Sequence, residues 1–150
     1  HNLQAEGAIP EETSVVGTSR TEFSDEDFAA QMRAAIEKHS RLEVTERSWK
    51  AFSHDIAYVP GDVTDPELFR RLDERLQRID EDRGTSGNRL WYLATHPKFF
   101  GPIAEGLGKS GLLDSQGWHR LIVEKPFDLV NLVSAVTELA RAGYQPEDAE

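Results

Sequence analysis

The chain contains no cysteine. That absence rules out disulfide staples, thiolate nucleophiles and thiolate metal sites, and it makes a reducing, cytoplasmic home the expectation. Basic residues are also scarce, with 17 Lys and Arg against 27 Asp and Glu, a formal charge of −10. A surface that neutralises nucleic-acid phosphates needs a basic face, so no nucleic-acid partner is expected. There is no long apolar run, hence no membrane span and no membrane partner, and the N-terminus lacks the apolar core of a signal peptide. His1 reads as a tag remnant or a boundary of the sequence.

The 150 residues suit one domain with a core of its own, and 38% hydrophobic with 29% charged residues is an ordinary soluble balance. Thr13–Gly17 reads as a short buried strand. Ser24 is an N-cap, with Asp25, Glu26 and Asp27 in the first turn of a helix that carries Phe28, Met32 and Ile36 to about Lys38. A second helix is expected near Val44–Phe52, then a strand over Asp55–Val59. Asp65 and Pro66 open a helix with the apolar stripe Leu68, Leu72, Leu76 and Ile79. After the loop Gly84–Gly87 come a strand over Asn88–Ala94, a helix around Phe99–Leu113 that Gly106 and Gly108 weaken, and a strand over Arg120–Val123. Trp91 and Tyr92 read as core. A last helix carries Leu129, Leu132, Val133, Val136 and Leu139 and stops at Gly143, before a frayed tail. Alternating strands and helices predict an α/β fold with a mostly parallel sheet and helices on both faces.

In open α/β sheets ligands bind at the carboxyl ends of the strands, so residues just past a strand are the candidates. Arg20 follows the first strand. From position alone it reads first as a solvated surface arginine, and second as a reader of a ribose 2′-phosphate, whose oxygens match the guanidinium fork. Lys125 follows the Leu121-Ile122-Val123 run, with Pro126 forcing the chain to turn; an exposed strand end and a ligand-binding lysine are equally compatible with it. Thr95 and His96 end a further strand, where a loop touches a nicotinamide or ribose if one is bound. His96 has no carboxylate beside it, so a turn residue is the plainer reading than a general base. The remaining histidines show no ligand spacing, and no metal is assigned.

Four segments resemble the glucose-6-phosphate dehydrogenase family, in its N-terminal coenzyme domain. Val15-Val16-Gly17-Thr18-Ser19-Arg20 is similar to the family's second strand with its coenzyme-contacting arginine. Tyr58-Val59-Pro60-Gly61-Asp62 fits a Y-x-x-G-D segment, and Asn88 through Pro97 resembles N-R-L-F-Y-L-A-x-P-P, with His96 in place of the first proline. Gly117-Trp118-His119-Arg120 through Glu124-Lys125-Pro126-Phe127 resembles G-W-x-R-I-I-V-E-K-P-F-G, the most specific of the four. The resemblance implies a Rossmann-like doubly wound sheet. It also implies that Arg20 binds the 2′-phosphate of NADP, that Ala94, Thr95 and His96 lie beside the ribose and nicotinamide end, and that Lys125 hydrogen-bonds glucose 6-phosphate. The family oxidises C1 of that sugar to a lactone, feeding the pentose phosphate pathway.

The chain departs from the family pattern at both ends. The first strand and its G-x-x-G-D-L phosphate loop have no counterpart, and neither do the R-I-D-H-Y-L-G-K segment that holds the general base and the following α+β domain. Two residues of the family pattern are skipped after Phe127. Residues 1–150 are therefore expected to be an incomplete Rossmann-like coenzyme domain, with no catalytic residue of its own and little or no activity alone. A sheet left without its first strand exposes an edge, which invites pairing with a second copy. Two other readings stand beside this one: a glucose-fructose oxidoreductase-like sugar dehydrogenase, which also has a strand ending in Glu-Lys-Pro, and a non-catalytic α/β interaction module.

Overall fold

Val15–Gly17 forms strand β1 and Ile56–Tyr58 forms β2, paired in parallel with Val15 opposite Ile56 and Gly17 opposite Tyr58. They belong to a computed structural model that describes residues 1–10 and 12–123. Lys125 and the helix expected over Leu129–Leu139 lie outside the described residues. The described chain divides into two units, His1–Asp62 with Glu74–Thr85, and Val63–Asp73 with the chain from Ser86 onward.

In the first unit a short helix, α1 (Asn2–Ala5), precedes β1, and two helices, α2 (Asp25–His39) and α3 (Glu46–Ser53), make the crossover to β2. A parallel pair requires such a crossover. Ser24 caps α2 as its sequence predicts, its Oγ accepting from the Asp27 N–H at 3.0 Å. Three acids in the first turn and Lys38 and His39 in the last match the helix dipole. Helix α3 starts two residues later than its apolar pattern alone indicates, because Thr45 forms a capping box with Ser48. Arg33 ties the two helices together. It pairs with Glu37 at 2.8 Å and with Glu46, and its guanidinium lies 5.6 Å from the centre of the buried Trp49 ring. Ile56, Ala57, Tyr58 and Val59 are all buried and form the middle of this unit.

Helix α4 (Pro66–Arg83) supplies residues to both units. Its expected opening holds: Asp65 Oδ1 accepts from the Glu67 N–H at 3.0 Å, and Pro66 takes the first position. In the second unit β3 (Arg89–Leu93) and β4 (His119–Val123) pair in parallel from Arg89↔His119 to Leu93↔Val123. A 3₁₀ turn (Pro97–Phe99) and helix α5 (Phe100–Lys109) connect them. Leu68, Phe69, Leu72, Leu93, Leu107 and Leu112 are buried here. Helix α5 runs through both of its suspect glycines. A Cβ at Gly106 would stand 2.2 Å from the Phe69 ring, so this glycine is where an aromatic side chain packs onto helix backbone.

The described strands pair as β1 with β2 and β3 with β4, both in parallel as alternation predicts. Alternation does not say which strands are hydrogen-bonded neighbours. One expectation changes: Tyr92 is not core. The pleat of β3 sends Arg89 and Leu93 to the buried side and leaves Leu90 and Tyr92 55% and 58% exposed, while Trp91 is half-buried. Ile122, opposite Tyr92, is 46% exposed on the same face. No described helix is long and apolar enough to cross a membrane.

Candidate functional site

The chain leaves β1 through Thr18-Ser19-Arg20-Thr21, and this loop is fastened to the segment leaving β2. The Thr18 hydroxyl donates to the Val59 carbonyl at 2.7 Å. The Val59 N–H donates to the Gly17 carbonyl at 3.0 Å, and the Gly61 N–H to the Ser19 carbonyl at 2.8 Å. These bonds extend the ladder past its last formal pair and fix the loop's backbone. Gly17 makes the exit possible, because a Cβ there would stand 2.3 Å from the Phe28 ring.

Tyr58, the last residue of β2, holds the loop from below. Its hydroxyl lies 2.7 Å from the Thr21 carbonyl, 2.8 Å from Ser19 Oγ and 3.2 Å from the Ser19 carbonyl. The side chain is 7% exposed and packs against Phe28 at 4.7 Å and Phe23 at 5.6 Å between ring centres. Its N–H donates to Asp25 Oδ1 at 2.7 Å, and Arg75 pairs with the other oxygen of that carboxylate. Between Ser19 and Thr21, both anchored, stands Arg20. It is exposed and has no hydrogen bond or ion pair among the described residues. A fixed backbone carrying an uncommitted guanidinium can accept an anion without breaking an internal salt bridge first.

In the second unit Ala94, Thr95 and His96 follow β3 directly, Ala94 and His96 exposed and Thr95 half-buried. His96 caps the 3₁₀ turn, its Nδ1 accepting from the Lys98 N–H at 3.3 Å. That bond selects the tautomer with the proton on Nε2. Among the described residues no carboxylate bonds to the ring, and His96 acts there as the cap of the turn. Arg20 and the Ala94–His96 group thus each sit at the carboxyl end of a parallel strand, in separate units. Lys125 lies outside the described residues. No group of acidic and histidine side chains among the described residues is arranged to hold a metal.

A groove of about 900 Å³ in the first unit lies at the opposite end of β2, beside Asp55. Its one buried acid is consumed internally, with Arg83 at 2.9 Å and His54 at 3.1 Å. It is a poor match for the strand-end chemistry. Tyr58, Ser19 and Asp25 carry no mark of their role in the sequence beyond one general signal: a tyrosine ending a buried strand must find a partner for its hydroxyl.

Comparison with known proteins bears on most of the chain. Residues 1–141 match the family described as glucose-6-phosphate dehydrogenase, NAD binding domain. Glucose-6-phosphate 1-dehydrogenase 2 of Mycobacterium bovis is 37% identical over 129 residues, covering 85% of this chain and 25% of its own length. Glucose-6-phosphate 1-dehydrogenase of Bacillus subtilis is 35% identical over 127 residues, with the same coverage. The crystal structure of the Mycobacterium avium enzyme superposes with a TM-score of 0.74 at 26% identity, over 96% of this chain and 29% of that one. The chain spans about a quarter of the length of the curated relatives it matches.

Proposed function

The chain belongs to the glucose-6-phosphate dehydrogenase family through the NAD-binding domain, and on that premise we propose that it is the coenzyme-binding part of an NADP-linked enzyme that oxidises glucose 6-phosphate to 6-phosphogluconolactone. The observation that carries the NADP assignment is Arg20, an unpaired guanidinium on an anchored loop at the end of β1. A ribose 2′-phosphate offers it two or three charge-assisted hydrogen bonds, which a bare 2′-hydroxyl does not. Ala94, Thr95 and His96 lie beside the ribose and nicotinamide end in this reading, and Lys125 holds the sugar. The residues fit the coenzyme's anionic end: Arg20 supplies the charge, and the backbone bonds of Thr18 and Ser19 keep it in place.

NADP, when bound, supplies the hydride acceptor. This chain's residues bind and orient; none of those assigned takes the proton of the C1 hydroxyl. By the resemblance, that step belongs to the family's R-I-D-H-Y-L-G-K segment, which has no counterpart in residues 1–150. A cytoplasmic setting and pairing of this chain with a second copy through the open edge of a ladder belong to the same reading.

Titration with NADPH and with NADH, followed by nicotinamide fluorescence, tests it. NADPH is expected to bind more tightly, and Arg20→Ala is expected to weaken NADPH by about 10- to 100-fold, the worth of a charged hydrogen-bonding pair of about 1.5–3 kcal/mol. NADH affinity stays within about twofold. Equal loss for both coenzymes, or none for either, overturns the assignment.

A further inference from the structure

We propose that Tyr58 is a positioning residue for coenzyme selection, setting the chain's preference for a 2′-phosphate through the backbone on both sides of Arg20. This rests on the reading of Arg20 above. The geometry is specific. A tyrosine hydroxyl has one proton to give. The Thr21 carbonyl at 2.7 Å is the closer acceptor and takes the tyrosine proton, while the Ser19 carbonyl, 3.2 Å away, accepts from the Gly61 N–H at 2.8 Å. The Ser19 hydroxyl then donates to Tyr58 Oη at 2.8 Å, and the Thr21 N–H reaches Ser19 Oγ at 3.3 Å. Tyr58 Oη, the Thr21 backbone and Ser19 Oγ thereby close a ring of hydrogen bonds, and Arg20 is the residue spanned by it.

Arg20 itself gains nothing from the ring in the free protein. Its side chain is exposed and has no partner among the described residues. What the ring removes is freedom of the loop backbone, and a guanidinium on an ordered loop loses less entropy when it captures an anion. Tyr58 is itself fixed from three directions, by Phe28, by Phe23 and by the Asp25 carboxylate on its N–H. Removing the hydroxyl alone leaves those three contacts in place. The ring joins residues 19 and 21 to residue 58, 39 and 37 positions away, so it couples the two strand exits rather than one loop to itself.

The experiment is a double-mutant cycle on the whole 150-residue chain, with adenosine 2′,5′-bisphosphate and 5′-AMP as probes and binding followed by NMR titration. Tyr58→Phe is expected to weaken the bisphosphate about 5- to 30-fold, the loss attached to a single buried hydrogen bond, and to leave 5′-AMP within twofold. Arg20→Ala is expected to weaken the bisphosphate at least as much. In the Arg20→Ala background, Tyr58→Phe is expected to add nothing, because its effect runs through Arg20. Ser19→Ala, which opens the same ring without touching the aromatic packing, is expected to shift binding in the same direction; it stands in if Tyr58→Phe melts well below the parent chain. Additive losses, or equal losses for the two probes, overturn the role of Tyr58 while leaving Arg20 as the phosphate reader. An Arg20→Ala variant that binds both probes like the parent overturns the reading of Arg20 instead.

Discussion

His119 shows at the residue scale how a single proton is placed by its neighbours. The Trp91 indole N–H donates to its Nδ1 at 3.4 Å; its Nε2 lies 2.9 Å from Ser115 Oγ, which donates to the Gly87 carbonyl at 2.9 Å. With the serine proton committed to Gly87, only the neutral ring protonated on Nε2 satisfies all three contacts. Partial burial, with the charge of Arg89, holds the His119 pKa below its ordinary value, while Ser115 and Asp114 oppose the shift. A histidine whose folded pKa is depressed gives a stability contribution that is complete above about pH 6.5 and is lost as pH falls through the folded value. On acidification from pH 8 to pH 5 the parent chain is therefore expected to lose more in melting temperature than His119→Gln. Parallel curves for the two would contradict this. The place of Arg20 just past a strand was legible from sequence because it is local information, whereas its phosphate-reading role came from the resemblance. Tyr58 was not legible, because its partners lie 37 and 39 residues away in the chain.

At the scale of elements, the helix starts were readable because each is written in a few consecutive residues: Ser24 before three acids, and Asp65 before Pro66. The pairing of strands was not, since neighbours in a ladder are chosen by the whole fold. Helix α5 falls between these cases. Its two glycines look alike in sequence, and only the fold separates them. A Cβ at Gly106 meets the Phe69 ring at 2.2 Å, whereas one at Gly108 meets nothing within 4 Å. Gly106→Ala is expected to destabilise the chain by about 1–3 kcal/mol through overpacking, despite the better helix propensity of alanine. Gly108→Ala is expected to stabilise it by about 0.5–1 kcal/mol. Urea denaturation distinguishes the two outcomes, and the same sign for both variants would refute the packing role of Gly106. The exposure of Tyr92 has a similar origin. Its neighbours in sequence are apolar, but the pleat assigns alternate residues to opposite faces.

For the molecule as a whole, the resemblance and the family match agree: four short segments between Val15 and Phe127 carried enough to identify the fold. The proposed reading assigns no general base among the chain's residues, and that has a kinetic consequence. A positioned general base contributes about 10²–10⁴-fold in rate, and orientation of the sugar contributes more. The 150-residue chain alone is thus expected to reduce NADP with glucose 6-phosphate at least 10²-fold more slowly than the Bacillus subtilis relative measured in parallel, as read by absorbance at the reduced nicotinamide. Turnover within tenfold of that relative would show that this chain supplies the base itself.

In the proposed reading, the exposed Arg20 meets the coenzyme's phosphates on a chain of net charge −10. An incoming polyphosphate is repelled at long range and attracted only at contact. Ionic strength acts on these two stages in opposite ways: at 0.1 M salt the repulsion is damped beyond about 10 Å, so encounters become more frequent, while the contact itself is loosened and residence shortens. Association and dissociation rates both rise with salt on this account.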